Sequence, residues 1–262
     1  MFVDVDQQKT YIYTGSRGFD PDLPSILFIH GAGLDHTVWV LQSRYFAHHQ
    51  YNALAVDLPG HGRSSGEVCP TLEAYADWIS RFLDALAIEQ AVMVGHSMGS
   101  LVALEVAARH PDRVSKLALI GTATPMLVAD VLLDAAEAND HAAFDMINIW
   151  GHTIGQLGGH QAPGMWMMGS AVRLLERSGP GVLHNDLSAC NDYHTGPEAG
   201  AKVQCPTLML LGELDMMSPP KRAQELARAI ASVTVAEIEG CGHMLMGERP
   251  EQVLDSLIEH VM

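Results

Sequence analysis

The 262-residue chain has few basic residues: 15 Lys and Arg stand against 31 Asp and Glu, giving a formal net charge of −16. Binding to nucleic acid needs a cluster of Lys and Arg that neutralises phosphate, and binding to anionic lipid needs a similar basic patch. The sequence also has no apolar run long enough to cross a bilayer. We therefore expect neither a nucleic-acid partner nor a membrane partner.

Cysteine is also scarce, and the four residues of this type form no C-x-x-C pair and no metal-ligand spacing. These residues are Cys69, Cys190, Cys205 and Cys241. Residues 1–6 lack the basic and apolar regions of a signal peptide. The scarcity predicts reduced thiols, a cytoplasmic location and no metal site.

Apolar runs of strand length alternate with helical patterns along most of the chain, which predicts an α/β fold with a mostly parallel sheet flanked by helices. The predicted strands are residues 3–5, 9–13, 25–30, 53–57, 91–94, 116–121, 207–212 and 234–238. The predicted helices of this part are 72–87, 101–110, 219–231 and 251–261. The first two strands are expected to pair as an antiparallel hairpin at the edge of the sheet.

Strand patterns stop between residues 123 and 200, where Ala, Met, Trp, Gly and His dominate and helical patterns cover 126–138, 142–149, 166–177 and 181–193. We expect 1–122 and 201–262 to form the core, and 123–200 to form a helical lid above the carboxyl ends of the strands. Met-rich helices suit an adaptable apolar pocket, although any single Met is better explained by packing. The candidate pocket residues are Met126, Trp150, Trp166, Met167 and Met244.

The segment Gly95-His96-Ser97-Met98-Gly99 lies between a predicted strand and a predicted helix. This is the pattern of a nucleophile elbow, a sharp turn that lifts one serine out of the sheet and places it at a helix N-terminus. Ser97 is therefore a candidate nucleophile. The alternative is an ordinary loop serine, because Gly and Ser are common in turns.

A serine nucleophile needs a base, and the base needs a partner that orients it. Asp215 follows the predicted strand 207–212, and His243 follows the strand 234–238, so the chain order is Ser, Asp, His. Glu213 is a rival acid, and Asp215 has an alternative role as a helix cap. With 14 histidines in the chain, a histidine near any site is also expected by chance.

Acyl transfer also requires two backbone N–H groups that face the developing oxyanion. One candidate donor is Met98, the residue after the serine. The other donor is expected from the turn His30-Gly31-Ala32-Gly33, where glycine permits a close approach of the backbone to a substrate. An ordinary turn between strand and helix is the alternative for this segment.

Together these segments resemble the α/β-hydrolase superfamily, in the family's order and over nearly the whole chain. The matching segments are residues 30–33, 57–64, 95–99 and 212–215 with Pro219, and 242–243 with Glu248 and Pro250. The resemblance implies Ser97 as nucleophile, Asp215 as acid, His243 as base, and the N–H groups of Ala32 and Met98 as the oxyanion hole. It implies no metal and no organic cofactor. The His-Gly-x turn departs from the Gly-Gly-Gly form of many lipases, which favours Ala32 as the second donor.

In its size, its expected helical lid and its His96, the chain resembles small bacterial carboxylesterases and the 3-oxoadipate enol-lactonase group. A serine at the elbow disfavours the haloalkane dehalogenases and epoxide hydrolases, and His96 disfavours carbon–carbon bond hydrolases, which often carry Asn there. The expected function is hydrolysis of a small, uncharged carboxylic ester by a monomer or homodimer. Alternatives are a lactone hydrolase, a cofactor-free perhydrolase, a carbon–carbon bond hydrolase or lyase, and a ligand receptor without turnover. A lactonase for acidic substrates would favour Arg173 and Arg177 as lid cations, although this spacing is also typical of a solvated helix face.

Overall fold

The computed structural model describes residues 1–153 and 166–262. Eight strands form one sheet in the order β1-β2-β4-β3-β5-β6-β7-β8. The strands are β1 (Phe2–Val5), β2 (Gln8–Tyr13), β3 (Ser25–Ile29), β4 (Asn52–Val56), β5 (Ala91–His96), β6 (Val114–Ile120), β7 (Thr207–Gly212) and β8 (Val233–Ile238). Strands β3 to β8 are parallel, and β1 and β2 form an antiparallel edge. The predicted α/β class and mostly parallel sheet are confirmed.

Helices cover both faces of the sheet and the ends of its central strands. They are α1 (Val40–Ala47), α2 (Leu72–Ala85), α3 (Met98–Arg109), α4 (Asp130–Glu137), α5 (Ala142–Gly151), α6 (Met167–Leu175), α7 (Val182–Asn191), α8 (Gly196–Gly200), α9 (Gln224–Ala229), α10 (Leu245–Glu248) and α11 (Pro250–Val261). Short 3-10 turns cover His36–Trp39, Pro111–Arg113 and Pro220–Arg222. The predicted helix 219–231 is thus split into a 3-10 turn and α9.

The central strands are buried on both faces, which explains why they read as continuous apolar runs. Along β3, Leu27 and Ile29 pack into the core on the α2 and α3 side, whereas Ile26 and Phe28 pack toward α1 and α11. This alternation follows from the period of two residues in a strand. The sheet is therefore a rigid middle layer, and the loops after its strands are the natural place for a site.

Helix α2 shows how the sequence sets these outer layers. It begins after Thr71, whose hydroxyl oxygen accepts a hydrogen bond from Ala74 N at 3.2 Å. Its buried side chains include Leu72, Tyr75 and Ile79, which recur every three or four residues. One face of the helix therefore packs on the sheet and the other faces solvent.

The helices α4, α5 and α7 share a small apolar cluster of their own, built from Leu132, Ala136, Ala143, Leu183 and Leu187. Ala32, in the turn after β3, packs against this cluster. The described part of 123–200 is thus helical, as predicted, and contacts the sheet's carboxyl edge. Its status as a separate lid stays a prediction. Within the two described ranges, no helix has the length and apolarity required to cross a bilayer.

Candidate active site

The elbow at Ser97 forms where β5 ends and α3 begins. Ser97 has φ 53° and ψ −122°, a left-handed backbone conformation that is strained for any residue with a Cβ. Its backbone N–H donates to Ile120 O on β6 at 2.9 Å, which ties the turn to the neighbouring strand. A Cβ at Gly95 would collide with the Gly99 carbonyl, so the flanking glycines are needed for space. The serine is therefore held at the edge of the sheet by its surroundings.

His243 and Asp215 lie together behind this turn. His243 Nδ1–H donates to Asp215 Oδ2 at 2.8 Å, and both side chains are buried. The other oxygen, Oδ1, accepts from Met217 N at 2.9 Å and Ser218 N at 2.7 Å. Burial by itself would raise the pKa of Asp215, but His243 and these backbone donors outweigh it and hold the pKa below its usual range. The carboxylate therefore stays ionised and orients the imidazole.

Glu213, the rival acid, points elsewhere. Its Oε2 accepts from Gly240 N at 2.8 Å, and the residue is exposed. The structure therefore places the Asp215 carboxylate beside His243, and uses Glu213 to hold the loop after β8.

The His243 loop has two further supports that sequence reasoning left without a role. His96 Nε2–H donates to the His243 carbonyl at 2.9 Å, and Glu248 Oε1 accepts from Gly242 N at 3.2 Å. Burial lowers the pKa of His96 to about 3, so its ring is neutral. Glu248 Oε2 also accepts from the Thr153 hydroxyl at 2.7 Å. These contacts fix the height of His243 above the sheet. In the sequence, these two residues were marked only by the position of His96 next to Ser97 and by Glu248 among the segments that resemble the superfamily.

The turn after β3 lies directly beside the serine. A Cβ placed on Gly31 would be 3.2 Å from Ser97 Cβ and 3.1 Å from His96 Nδ1, so a larger residue there would crowd the elbow. Leu34 N donates to Gly31 O at 3.2 Å and closes the turn. Ala32 lines the adjoining cavity. Met98 is the first residue of α3, so its N–H has no partner within the helix.

A cavity of about 390 Å³ connects these groups with the helices above them. Its walls include Ser97, His243 and Ala32, and, of the predicted pocket residues, Met126, Trp150 and Met244. Most of the remaining walls are apolar side chains of α4 to α7 and the loop after β7. A cavity of this size fits a small organic substrate next to the serine.

Two predicted pocket residues do not line this cavity. Trp166 precedes α6, packs its ring against Gly169 and is 76% exposed. Met167, the first residue of α6, is half-buried with its sulfur near Gly247. Composition marks an apolar segment but not the face of each helix that turns inward, so the assignment of these two residues to a substrate pocket stays a prediction. Ala171 and Leu175, further along α6, line the cavity instead.

The predicted lid cations also lie away from the cavity. Arg173 pairs with Glu176, and Arg177 pairs with Asp35 beyond the turn after β3. Arg222, in the 3-10 turn after β7, lines the cavity while remaining exposed. Asn148 and His152 of the α5 end also line it. The charged group at the rim thus comes from the core rather than from the insertion.

A cluster of Asp35, His36 and Asp57 brings three possible ligand atoms within 4.8 Å of one another. The carboxylate oxygens of this cluster already accept hydrogen bonds. Asp57 Oδ1 accepts from the backbone N of His36 at 2.7 Å and from its ring Nδ1 at 2.8 Å. Asp35 accepts from Thr37 N at 2.9 Å and pairs with Arg177. We interpret this cluster as a hydrogen-bonded clasp between loops.

Comparison with known proteins agrees with this architecture. A family model described as alpha/beta hydrolase fold matches residues 24–250. The chain is 25% identical to (E)-2-((N-methylformamido)methylene)succinate hydrolase of Acinetobacter baylyi, over 87% of this chain and 86% of that protein. It is 29% identical to a pimeloyl-[acyl-carrier protein] methyl ester esterase of Chromobacterium violaceum, over 91% and 94%. The enol-lactonase of Burkholderia xenovorans LB400 superposes with a TM-score of 0.88 at 24% identity, covering 100% and 99%.

Proposed function

This chain belongs to the α/β-hydrolase family, and we propose that it is a serine hydrolase that cleaves carboxylic esters through an acyl-enzyme on Ser97. One observation carries the proposal: Ser97 and His243 line the same cavity, and His243 is hydrogen-bonded to the buried Asp215. The arrangement supplies a nucleophile, a base and an orienting acid. The methyl ester esterase among its relatives supports the ester class.

In the proposed acylation step, His243 accepts the Ser97 proton. Its Nδ1–H donates to Asp215, so Nε2 carries the free lone pair. Ser97 Oγ attacks the ester carbonyl carbon, and the carbonyl electrons move to oxygen. The N–H groups of Ala32 and Met98 stabilise the resulting oxyanion. Collapse of this intermediate expels the alcohol, which takes the proton from His243 Nε2.

Deacylation repeats these roles with water. His243 Nε2 accepts a proton from water, whose oxygen attacks the acyl carbon. The second tetrahedral intermediate collapses, Ser97 Oγ leaves with the proton held by His243, and the carboxylic acid is released. Asp215 stays ionised throughout and stabilises the imidazolium, in line with the lowered pKa of this carboxyl.

The test compares wild type, Ser97→Ala and Ser256→Ala on p-nitrophenyl esters from acetate to decanoate. Ser256 is a half-buried serine of α11 that lies outside the cavity wall, and it serves as the matched control. We expect Ser97→Ala to lower kcat roughly 10⁴-fold or more and Ser256→Ala to leave it unchanged. A fluorophosphonate should also label Ser97 stoichiometrically by mass spectrometry. Full turnover by folded Ser97→Ala would rule out the proposed nucleophile.

A second candidate function is hydrolysis of a lactone or ester that carries a carboxylate. Arg222 favours it, because this cation lines the cavity and forms no ion pair among the residues that the structure describes. A guanidinium at the rim would attract a carboxylate remote from the scissile bond. The succinate hydrolase among the relatives acts on a dicarboxylate framework, which supports this alternative.

The two functions are separated by comparing the hydrolysis of an anionic ester, monomethyl glutarate, with that of a neutral ester, methyl pentanoate. Proton release measures both rates. If the substrate carries a carboxylate, Arg222→Gln should raise KM for monomethyl glutarate about 1.4- to 5-fold, as expected for an exposed ion pair of about 0.2–1 kcal/mol. Lys221→Gln, the exposed neighbour outside the cavity, should not. Equal KM values for both substrates in both variants would leave the neutral ester as the substrate class.

A further inference from the structure

A buried carboxylate joins α7 to the core directly behind the candidate oxyanion hole. Asp186 Oδ2 accepts from His61 Nε2 at 2.8 Å and from Gly33 N at 2.9 Å. Its Oδ1 accepts from Tyr75 OH at 3.0 Å. The Asp186 and His61 side chains are 0% and 1% exposed. No step of the proposed ester hydrolysis uses this group.

The partner of Asp186 is His61, whose two ring nitrogens both face oxygen atoms. His61 Nδ1–H donates to Pro59 O at 2.9 Å, while Nε2–H donates to Asp186, so both ring nitrogens act as donors. Burial by itself would lower the pKa of His61, but the adjacent Asp186 carboxylate outweighs it and raises the pKa. A charge-assisted bond of this kind is shorter and stronger than a neutral one. The pair therefore holds Asp186 Oδ2 firmly in place.

This fixed oxygen determines the geometry of the turn after β3. Gly33 has φ +65°, a conformation that glycine adopts without strain, and its N–H is directed at Asp186. Leu183, one turn earlier on α7, lies against the same glycine: a Cβ built there would be 3.0 Å from Leu183 Cδ1. The Ala32 N–H, by contrast, has no acceptor among the described residues and belongs to a residue that lines the cavity.

We propose that Asp186 is a positioning residue for ester hydrolysis, which from α7 binds the Gly33 N–H and thereby aims the Ala32 N–H at the oxyanion. The helix that covers the site would thus also set the site's electrostatics. Because a donor stabilises an oxyanion only from the right position, a loosened turn lowers transition-state binding more than substrate binding. This proposal depends on the proposed serine hydrolysis.

Asp186→Asn tests the proposal with a side chain of equal size. The amide oxygen can still accept from Gly33, but the charge that strengthens this bond is gone. We expect kcat to fall roughly 10-fold while KM changes less than about 2-fold, a loss smaller than that of a whole oxyanion donor. The affinity for a trifluoromethyl ketone, which forms an oxyanion on the serine, should fall in proportion to kcat. Asp186→Ala should extend both losses toward roughly 100-fold if it folds.

Tyr75→Phe is the matched control inside the same cluster. It removes the hydrogen bond to Oδ1 and leaves Oδ2 with Gly33, so it should lower thermal stability with kcat and ketone affinity unchanged. Asp192→Asn, an exposed carboxylate at the end of α7, should change neither. Equal kcat losses in Tyr75→Phe and Asp186→Asn would show a purely structural cluster and overturn the proposal. So would wild-type kcat in Asp186→Asn.

Ser97→Ala, measured in parallel, separates this proposal from the function on which it depends. If Ser97→Ala keeps full turnover, the serine mechanism itself is wrong. If Ser97→Ala is inactive and Asp186→Asn retains wild-type kcat and ketone affinity, only the positioning role fails.

Discussion

At the scale of the residue, Ser97 combines the position proposed for the nucleophile with an unfavourable backbone conformation. Its φ of 53° lies where a Cβ is strained, and the strain is held by the bond from Ser97 N to Ile120 O and by the packed glycines on either side. Such conformations cost of order 1–3 kcal/mol and persist only where the surroundings impose them. The elbow therefore gives up stability to place Ser97 at the cavity wall.

This strain predicts an order of stability among variants at position 97. Ser97→Gly removes the Cβ and its strain, while Ser97→Ala removes only the hydroxyl. After allowing for the greater freedom of glycine in the unfolded chain, Ser97→Gly should have a free energy of unfolding about 1 kcal/mol higher than Ser97→Ala. Urea unfolding of both variants measures the difference. A less stable Ser97→Gly would show that the elbow stores no such strain.

The sequence was informative at this scale because chemistry restricts the residues. The glycine spacing around Ser97 and the Ser, Asp, His order pointed to three side chains. In the structure, His243 is hydrogen-bonded to Asp215 and lines the same cavity as Ser97. The choice between Asp215 and Glu213 needed the family resemblance, since both follow the same strand. The Asp186 and His61 pair was missed because 125 positions separate them and no local pattern marks a buried salt bridge.

At the scale of the element, strands were easier to predict than the orientation of helices. Buried parallel strands appear as apolar runs, and every predicted strand is present within about two residues, in line with the reliability of such patterns. Helix α1 and the turn His36–Trp39 were not predicted, because their short sequence has no clear apolar periodicity. The positions of Trp166 and Met167 outside the cavity wall were not evident from the sequence for a related reason: the packing of α6 decides which of its faces turns to the cavity.

Helix α7 allows a pH prediction about its attachment. Burial opposes ionisation of Asp186, but His61 and the Gly33 N–H outweigh it and hold the pKa of Asp186 below its usual range. This part of the stability is present above the unfolded pKa of about 3.9 and is lost as pH falls through the lower folded value. The raised pKa of His61 adds stability that is present below about pH 6.5 and is lost as pH rises through the folded value.

The gap in unfolding free energy between wild type and Asp186→Asn should therefore be widest between about pH 4 and 6.5, at about 3 kcal/mol, and narrower at pH 3 and pH 9. Of the other groups facing the pair, Tyr75 and Asp57 keep their protonation state in this window, whereas His30 titrates at its lower edge. Burial lowers the pKa of His30 to about 4 and raises that of Tyr75 well above its usual range, while Asp57, held by His36, has a lowered pKa. Denaturant unfolding at each pH measures the gap, and a constant gap from pH 4 to 9 would contradict the prediction.

At the scale of the whole molecule, the net charge of −16 surrounds a cavity whose wall carries one cation in the described part of the chain, Arg222. The two act over different ranges. The overall field is screened over a Debye length of about 10 Å at 0.1 M salt, whereas a direct contact with a guanidinium is screened less. A neutral ester is affected by neither the overall field nor Arg222. An anionic ester is repelled by the net negative charge and attracted by Arg222.

The molecule's charge therefore predicts how salt affects each kind of substrate. Since kcat/KM contains the energy of bringing an anion to the site, raising NaCl from 10 to 200 mM should increase kcat/KM for monomethyl glutarate about 2- to 5-fold and leave methyl pentanoate unchanged. Arg222→Gln should make the rise for monomethyl glutarate steeper, because the opposing local attraction is removed. Lys221→Gln, which changes the net charge by the same amount, should leave this rise near that of wild type. A kcat/KM for the anionic ester that falls with salt would mean that Arg222 outweighs the field of the rest of the protein, and would favour a carboxylate-bearing substrate over the neutral ester.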